Sequence, residues 1–204
     1  MPSHSSTMVR RAPQQNRSTR RVTAFLGAAE ALFAELGFEA TTMTAIAERA
    51  GSSIGALYSY FPDKKAIAVA LLDIYAGQIK EHWRKLFDEA AAYSSRDFSE
   101  RFIDRFLDFV AEHPAYLQLH AAPIRLRRSR AAKLAFRASL VGVLRRRVPA
   151  LGQKPAELCV GVMLQIVQGM VQMYNDADPS ERETVIKEFK TALASYMSTV
   201  FGEA

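Results

Sequence analysis

The chain of 204 residues has a single cysteine, Cys159, so it builds neither an intrachain disulfide framework nor a cysteine-rich metal site. It lacks an uninterrupted apolar run of the roughly 18 residues that a membrane span needs. Its first residues, MPSHSSTMVRRAPQQNRSTRR, have no apolar stretch of the kind a secretory signal carries. These absences predict a cytoplasmic protein. The histidines His4, His82, His113 and His120 show no metal-ligand spacing, and neither a Ser-His-Asp nor a Gly-rich phosphate signature occurs. Cys159 falls in the most apolar stretch, where a thiol is inert. Neither an enzyme nor a cofactor or metal is expected. Strand-like alternation, repeats of fixed period and low-complexity tracts beyond the N-terminus are also missing.

What is present is 49% hydrophobic and 24% charged residues, the balance of a soluble globular chain. The length suits one moderate domain or a small one fused to a larger one, and such a chain buries roughly two-thirds of its unfolded surface. The net charge of +6 is unevenly spread. Residues 1–29 hold Arg10, Arg11, Arg17, Arg20 and Arg21 and no acid, leaving 22 basic against 21 acidic residues elsewhere. Residues 113–156 carry ten Lys/Arg and no acid, while 88–112 carry seven acids and three bases. A basic arm of the first kind suits nucleic acid or is a solvated tail. The basic stretch from Arg125 to Arg147 suits an anionic effector or an acidic partner. The expected reading is instead a solvated face balanced by Asp97, Glu100, Asp104 and Asp108, with Arg145, Arg146 and Arg147 at a helix C-terminus.

Prolines at 13, 62, 114, 123, 149, 155 and 179 punctuate stretches of helical period, which predicts an all-α protein of about nine helices. Residues 1–16 read as a disordered basic arm. From Ser18, a candidate N-cap, Val22, Phe25, Leu26, Ala29, Leu32, Phe33 and Leu36 form one apolar face, and Gly37 stops it. Thr42 caps a short helix to Ala50, and Ser53 caps another to about Tyr60. A long helix covers roughly 63–90, and others end at Pro114, Pro123 and Pro149. The last two run over about 155–175 and 180–201. The domains expected are the arm at 1–16, a helix-turn-helix head at 17–62 and a larger helical domain at 63–204.

The stretch 42–64, TMTAIAERAGSSIGALYSYFPDK, carries the function. A helix-turn-helix needs a small residue where its helices cross, a glycine able to take positive φ, and an apolar residue packing back. Ala47, Gly51 and Leu57 supply these. A helix starting at Ser53 then fits a DNA major groove about 12 Å wide. Tyr58 and Tyr60 join aromatic bodies to hydroxyls that reach phosphate oxygens. Lys64 falls in the first turn of a helix, where the dipole disfavours a cation, which makes sense if it faces a phosphate. The plainer readings are an ordinary αα-hairpin and a solvated lysine.

Residues 22–67, and especially GFEATTMTAIAERAGSSIGALYSYFPDKKAI, resemble the N-terminal DNA-binding domain of the TetR family of bacterial transcriptional regulators. The order and lengths of the remaining helices fit that family's ligand-binding domain. The resemblance implies a homodimer on a palindromic operator, the third helix of each subunit lying in the major groove. Thr42 would then contact phosphate, with Ser53, Ile54, Gly55 and Ala56 at the exposed start of the recognition helix. Tyr58, Ser59 and Tyr60 would line the groove wall and Lys64 would clamp phosphate. Two departures stand out: Ser52 occupies a position usually branched and apolar, and Ile54, Gly55 and Ala56 offer no side-chain hydrogen bond. Specificity is therefore expected to rest on a thymine methyl contact from Ile54, close backbone approach at Gly55 and DNA shape. Arg17, Arg20 and Arg21 are expected to add minor-groove contacts.

Residues 158–174, LCVGVMLQIVQGMVQMY, are apolar nearly all round and need cover on most sides. Gly161 and Gly169 suit close helix approach. The last helix carries a seam of Val185, Ile186, Phe189, Leu193, Tyr196, Met197 and Val200, so a four-helix dimer interface is expected through helices about 155–175 and 180–201. Trp83, Phe87, Phe102, Phe106, Phe109, Tyr116, His120 and Phe136 are each more simply core, yet as a group they suit a pocket for a small, largely apolar effector. Met163 and Met170, with Gln165 and Gln168, are further candidates. The expectation is a repressor released by that effector through a population shift, helix 63–90 being the lever. The alternative is a DNA-binding protein without a small-molecule effector, controlled by a protein partner. A membrane-surface role is disfavoured, since the basic helix has a modest apolar face and no tryptophan.

Overall fold

The computed structural model describes residues 12–122 and 127–203, with side chains from residue 17 in the first stretch and residue 131 in the second. Among the described residues it is all-α: nine α-helices, one 3-10 turn and no strand. The expected arm residues Arg10 and Arg11, and Arg125 of the basic stretch, lie outside the described residues. The helices are α1 (Ala12–Ala40), α2 (Met43–Arg49), α3 (Ile54–Tyr58), α4 (Lys64–Glu89), α5 (Ser95–Glu112), α6 (Tyr116–Ala121), α7 (Arg127–Arg147), α8 (Gln153–Asp176) and α9 (Arg182–Phe201). The 3-10 turn, Ala90–Ala92, follows α4 directly.

The described residues form two compact units, one of residues 12–72 with 113–122, the other of 73–112 with 127–203. The boundary expected at 62/63 therefore differs from this division. The start of α4 belongs to the first unit, and so does α6, which packs on α1. The first helix begins at Ala12 rather than at Ser18, so the last residues of the expected arm, 12–16, are helical. Pro13 is compatible with this, because a helix's first turn leaves its N–H groups unbonded anyway.

In the first unit, Phe25, Ala29, Phe33, Ile46, Ala47, Leu57, Phe61, Ile67 and Leu71 are buried. The 3-and-4 spacing of α1 thus becomes a wall against which the two short helices bury what they cannot bury alone. Gly37, at φ 76° and ψ 170°, breaks the helical path of α1 where the sequence predicts a stop.

The second unit is held by α5 against α9, α8 against α9, and α7 against α8. Its core gathers Trp83, Leu86, Phe98, Phe102, Ile103, Leu140, Leu144, Val160, Met163, Val167, Met170, Leu193 and Met197. The end of the chain is clasped to three other parts of the unit. Glu203 Oε2 accepts from the Ser95 amide at 2.9 Å and its hydroxyl at 2.6 Å, while Oε1 pairs with Arg147. Arg147 also donates to the carbonyls of Ala90 and Tyr93 and lies over the Phe201 ring. Arg146 donates to the Phe87 carbonyl at 3.2 Å and Arg145 to Gln153 at 2.9 Å. Arg147, half-buried, is thus a fastening, whereas Arg145 and Arg146 are exposed as a solvated face would be. Of the acids expected to balance them, Asp104 pairs instead with Lys190 of α9 at 2.5 Å, and Asp97 accepts from Ser94.

Helix α8 holds an 18-residue window of mean hydropathy 1.3, long and apolar enough by composition to cross a membrane although its polar residues interrupt every run. Only 28% of that window is buried within the chain. Ala156, Val160, Met163, Val167 and Met170 turn inward, whereas Leu158, Val162 and Met173 are exposed.

Candidate nucleic-acid interface

The geometry of the helix-turn-helix follows from backbone chemistry at its joints. Thr42 Oγ1 accepts the Ala45 amide at 3.1 Å and Ser53 Oγ accepts the Ala56 amide at 3.2 Å, so both are N-caps as their residue types predict. Between them Gly51 sits at φ 61°. Its amide bonds to the Glu48 carbonyl at 3.0 Å and that of Ser52 to the Ala47 carbonyl at 2.9 Å, the paired closure of a Schellman motif. That motif favours an apolar contact between the residue after the glycine and the helix's last turn. Ser52 occupies this place without a side chain to make it, which is the physical content of the departure at position 52.

Lys64 does not stand free to clamp a phosphate. Its Nζ donates to the carbonyls of Phe38 at 2.7 Å, Glu39 at 2.7 Å and Thr41 at 2.9 Å, which uses all three ammonium protons. The same atom lies 4.6 Å from the centre of the Phe38 ring. The cation that the dipole of α4 disfavours is placed at the negative C-terminal end of α1, where it closes carbonyls left without partners. Buried Thr41 completes the cap by donating to the carbonyls of Leu32 at 3.2 Å and Gly37 at 2.8 Å. Sequence reasoning missed Thr41 and the role of Lys64. The available signal was a lysine in the wrong turn of its own helix together with a glycine-stopped helix end upstream.

The remaining residues divide between exposed and bracing ones. Ile54 is 41% exposed and Tyr58 52% exposed, one helical turn apart on the same face of α3. Gly55 lies between them with open space where a Cβ would stand, so nothing in the fold requires a glycine there. Ala56 is half-buried. The Ser59 hydroxyl donates to the Ala56 carbonyl at 2.6 Å and keeps only acceptor capacity. Half-buried Tyr60 packs its ring 5.8 Å from that of Phe25, so it braces α3 against α1 as well as bordering the exposed face. Arg49 of α2 pairs with Glu35 of α1 at 2.6 Å, a surface contact worth little by itself. Arg17, Arg20 and Arg21 are exposed on one stripe of α1. All three belong to α1.

The residues expected to line an effector pocket fall in both units. Trp83, Phe87, Phe102, Phe106, Phe109, Phe136, Met163 and Met170 belong to the second unit, while Tyr116 and His120 belong to α6 of the first. There the Tyr116 and His120 rings stand 4.2 Å apart, and burial pushes the Tyr116 hydroxyl up to about 12. Gln165 and Gln168 are exposed on α8 and line no core. A polar surface groove of about 230 Å³, bordered by Lys85, Glu89, Arg101 and Asp108, contains none of the expected pocket residues.

In the second unit Trp83 stands at the centre of the aromatic cluster. Its ring centre is 4.5 Å from Phe102, 5.4 Å from Phe136 and 5.7 Å from Phe87. The His82 ring, 6.0 Å away, packs edge-on against Phe109, and its Nε2–H donates to the Arg105 carbonyl at 2.7 Å. The Trp83 Nε1–H is buried and has no hydrogen-bond partner among the described residues. An unsatisfied donor of this kind costs about 1–3 kcal/mol.

Comparison with known proteins matches both parts of the chain. The family model for bacterial regulatory proteins of the tetR family matches residues 25–71, and that for the tetracyclin repressor-like C-terminal domain matches residues 95–197. A curated relative, the uncharacterized HTH-type transcriptional regulator YerO of Bacillus subtilis, is 27% identical over 88 residues, 43% of this chain. The match spans 30% of that relative's length. The crystal structure of a TetR-family transcriptional regulator from Streptomyces coelicolor superposes with a TM-score of 0.60 at 21% identity, covering 88% of this chain and 99% of that one. That of the TetR-family regulator PfmR from Thermus thermophilus gives 0.64 at 21% identity over 84% and 97% of the two chains. At such identities these structures show the shared fold.

Proposed function

The chain belongs to the TetR family of bacterial regulatory proteins, and from that premise we propose that it is a dimeric repressor that binds a palindromic operator and is released by a small, largely apolar effector. The observation that carries the DNA-binding part is the exposed pair Ile54 and Tyr58 flanking an uncrowded Gly55, on a helix whose ends and back face are fully braced. An apolar side chain held in the open on a rigid short helix lacks a role in the chain's own packing and suits the floor of a major groove. The reading is methyl contact from Ile54, backbone approach at Gly55 and phosphate contact from Tyr58 and Thr42, with Arg17, Arg20 and Arg21 supplying salt-dependent attraction from α1.

The effector part rests on the aromatic core of the second unit and on α4. That helix contributes Lys64 to the first unit and Trp83 to the second. A ligand that favours one arrangement of the aromatic cluster shifts α4, and with it the lysine that closes the end of α1. The weakening of operator binding equals the ligand's differential affinity for the two arrangements.

Selection of bound duplexes from a random pool tests the DNA-binding reading, and a palindromic consensus is the expected result. Replacing thymine by uracil in the selected half-site removes C5-methyl groups alone and is expected to weaken binding about tenfold, within the cost of a single mismatch. Selection of no sequence, or indifference to uracil together with Ile54→Ala, overturns it.

A further inference from the structure

In the second unit a buried hydrogen-bond donor is enclosed by aromatic rings and meets no acceptor. Trp83 is 2% exposed and its Nε1–H is unpartnered among the described residues. Around the indole Phe87 is stacked, Phe102 tilted and Phe136 edge-on, with ring centres 4.5–5.7 Å away. Two of these rings, Phe87 and Phe136, are only half-buried and lie 5.9 Å apart. We propose that this cluster is a ligand site whose polar anchor is the Trp83 N–H, and that it takes a neutral, largely apolar and flat molecule carrying one hydrogen-bond acceptor such as a carbonyl oxygen.

Each element of that chemistry follows from a group in the cluster. An indole N–H donates and never accepts, so the partner must present a lone pair. The enclosing groups are aromatic rings, which favour a flat apolar body stacked or edge-on against them. A carboxylate in this setting would lose its hydration against a single neutral donor, so an anion is excluded on desolvation grounds. Room is made by turning the half-buried Phe87 and Phe136 rings, since Trp83 and Phe102 are held on all sides. Any regulatory consequence of occupancy rests on the effector-released reading above, whereas the site itself does not.

The chain has one tryptophan, so indole fluorescence and the indole ¹⁵N–¹H resonance report on Trp83 alone. The probes are acetophenone and α-methylstyrene, which differ in carrying C=O or C=CH₂ at the same position, and benzoate as the anion. In the full-length protein acetophenone is expected to bind at least tenfold more tightly than α-methylstyrene and to move the indole N–H resonance downfield, with benzoate weakest of the three. Trp83→Phe keeps a ring but has no donor. It is expected to melt no lower than the parent protein by more than the loss of ring area explains, and to bind acetophenone and α-methylstyrene equally. Equal binding of the two by the unaltered protein, or an indole resonance that neither moves, overturns the site. Acetophenone bound through Trp83 without release of the selected duplex upholds the site and overturns the effector-released reading instead.

Discussion

At Gly55 the fold and the proposed function ask for different residues. A β-carbon there meets nothing within 4 Å, and the position is helical, where alanine is favoured over glycine by roughly 0.5–1 kcal/mol. Gly55→Ala is therefore expected to raise the melting temperature slightly. The same methyl group projects from the exposed side of α3 next to Ile54 and holds the backbone away from the bases, so affinity for the selected duplex is expected to fall about tenfold, as for one lost groove contact. Thermal melting and duplex titration on one preparation separate the two effects, and unaltered affinity would remove Gly55 from the interface. The caps Thr42 and Ser53 were legible from residue type because a hydroxyl at an N-cap acts within three residues of itself. Lys64 was not, since its partners lie 23 to 26 residues upstream and only the folded chain brings them within reach.

At the scale of elements, the end of α1 depends on a residue of α4. Lys64→Ala leaves the carbonyls of Phe38, Glu39 and Thr41 without their charged donor and is expected to destabilise the first unit by about 2 kcal/mol. Operator affinity then falls with the folded fraction, while the slope of affinity against salt stays unchanged. A phosphate clamp would instead lower that slope by about one ion, so the salt titration decides between the two roles. The clasp at the end of α9 has its own pH signature. The hydrogen bonds from the Ser95 hydroxyl and amide, and then the Arg147 guanidinium, hold the Glu203 carboxyl below its ordinary 4.5. A lowered folded-state value means stability that is present above the unfolded value and lost as pH falls through the folded one. Chemical denaturation between pH 6 and 3 is expected to show this loss in the parent protein and a smaller one in Glu203→Gln. Identical profiles would mean that the clasp is indifferent to the charge. This clasp joins positions 95, 147 and 203, and no periodicity within a single helix announces contacts over such separations.

For the whole molecule, the all-α architecture and helix order were legible because each helix carries its own period and punctuation. The division into units was less so: α6 joins α1 across more than seventy residues, and the sequence between them offers no sign of it. The expected seam of α9 is also partitioned by the fold. Val185, Leu193 and Met197 are buried within the chain, and the Gly169 Cα hydrogen side faces Phe189, whose ring a Cβ would meet at 3.5 Å. The close approach at Gly169 therefore joins α8 to α9 of the same chain. What stays open is the other face of α8, where Leu158 is 70% exposed, Val162 and Met173 are exposed, and a Cβ at Gly161 would meet nothing. A row of apolar residues at spacings of 4 and 11 on a helix with less than a third of its apolar window covered suits a second copy of the same surface, as the dimeric reading requires. Leu158→Glu places a charge on that row without touching the buried side of α8. It is expected to convert the dimer to a folded monomer in sedimentation, with helix content and melting of the first unit retained. A palindromic duplex bound by two linked heads then loses on the order of 10²–10⁴ in affinity, whereas an isolated half-site is bound as weakly as before. A dimer that persists in Leu158→Glu with unaltered operator affinity would place the interface elsewhere on the molecule.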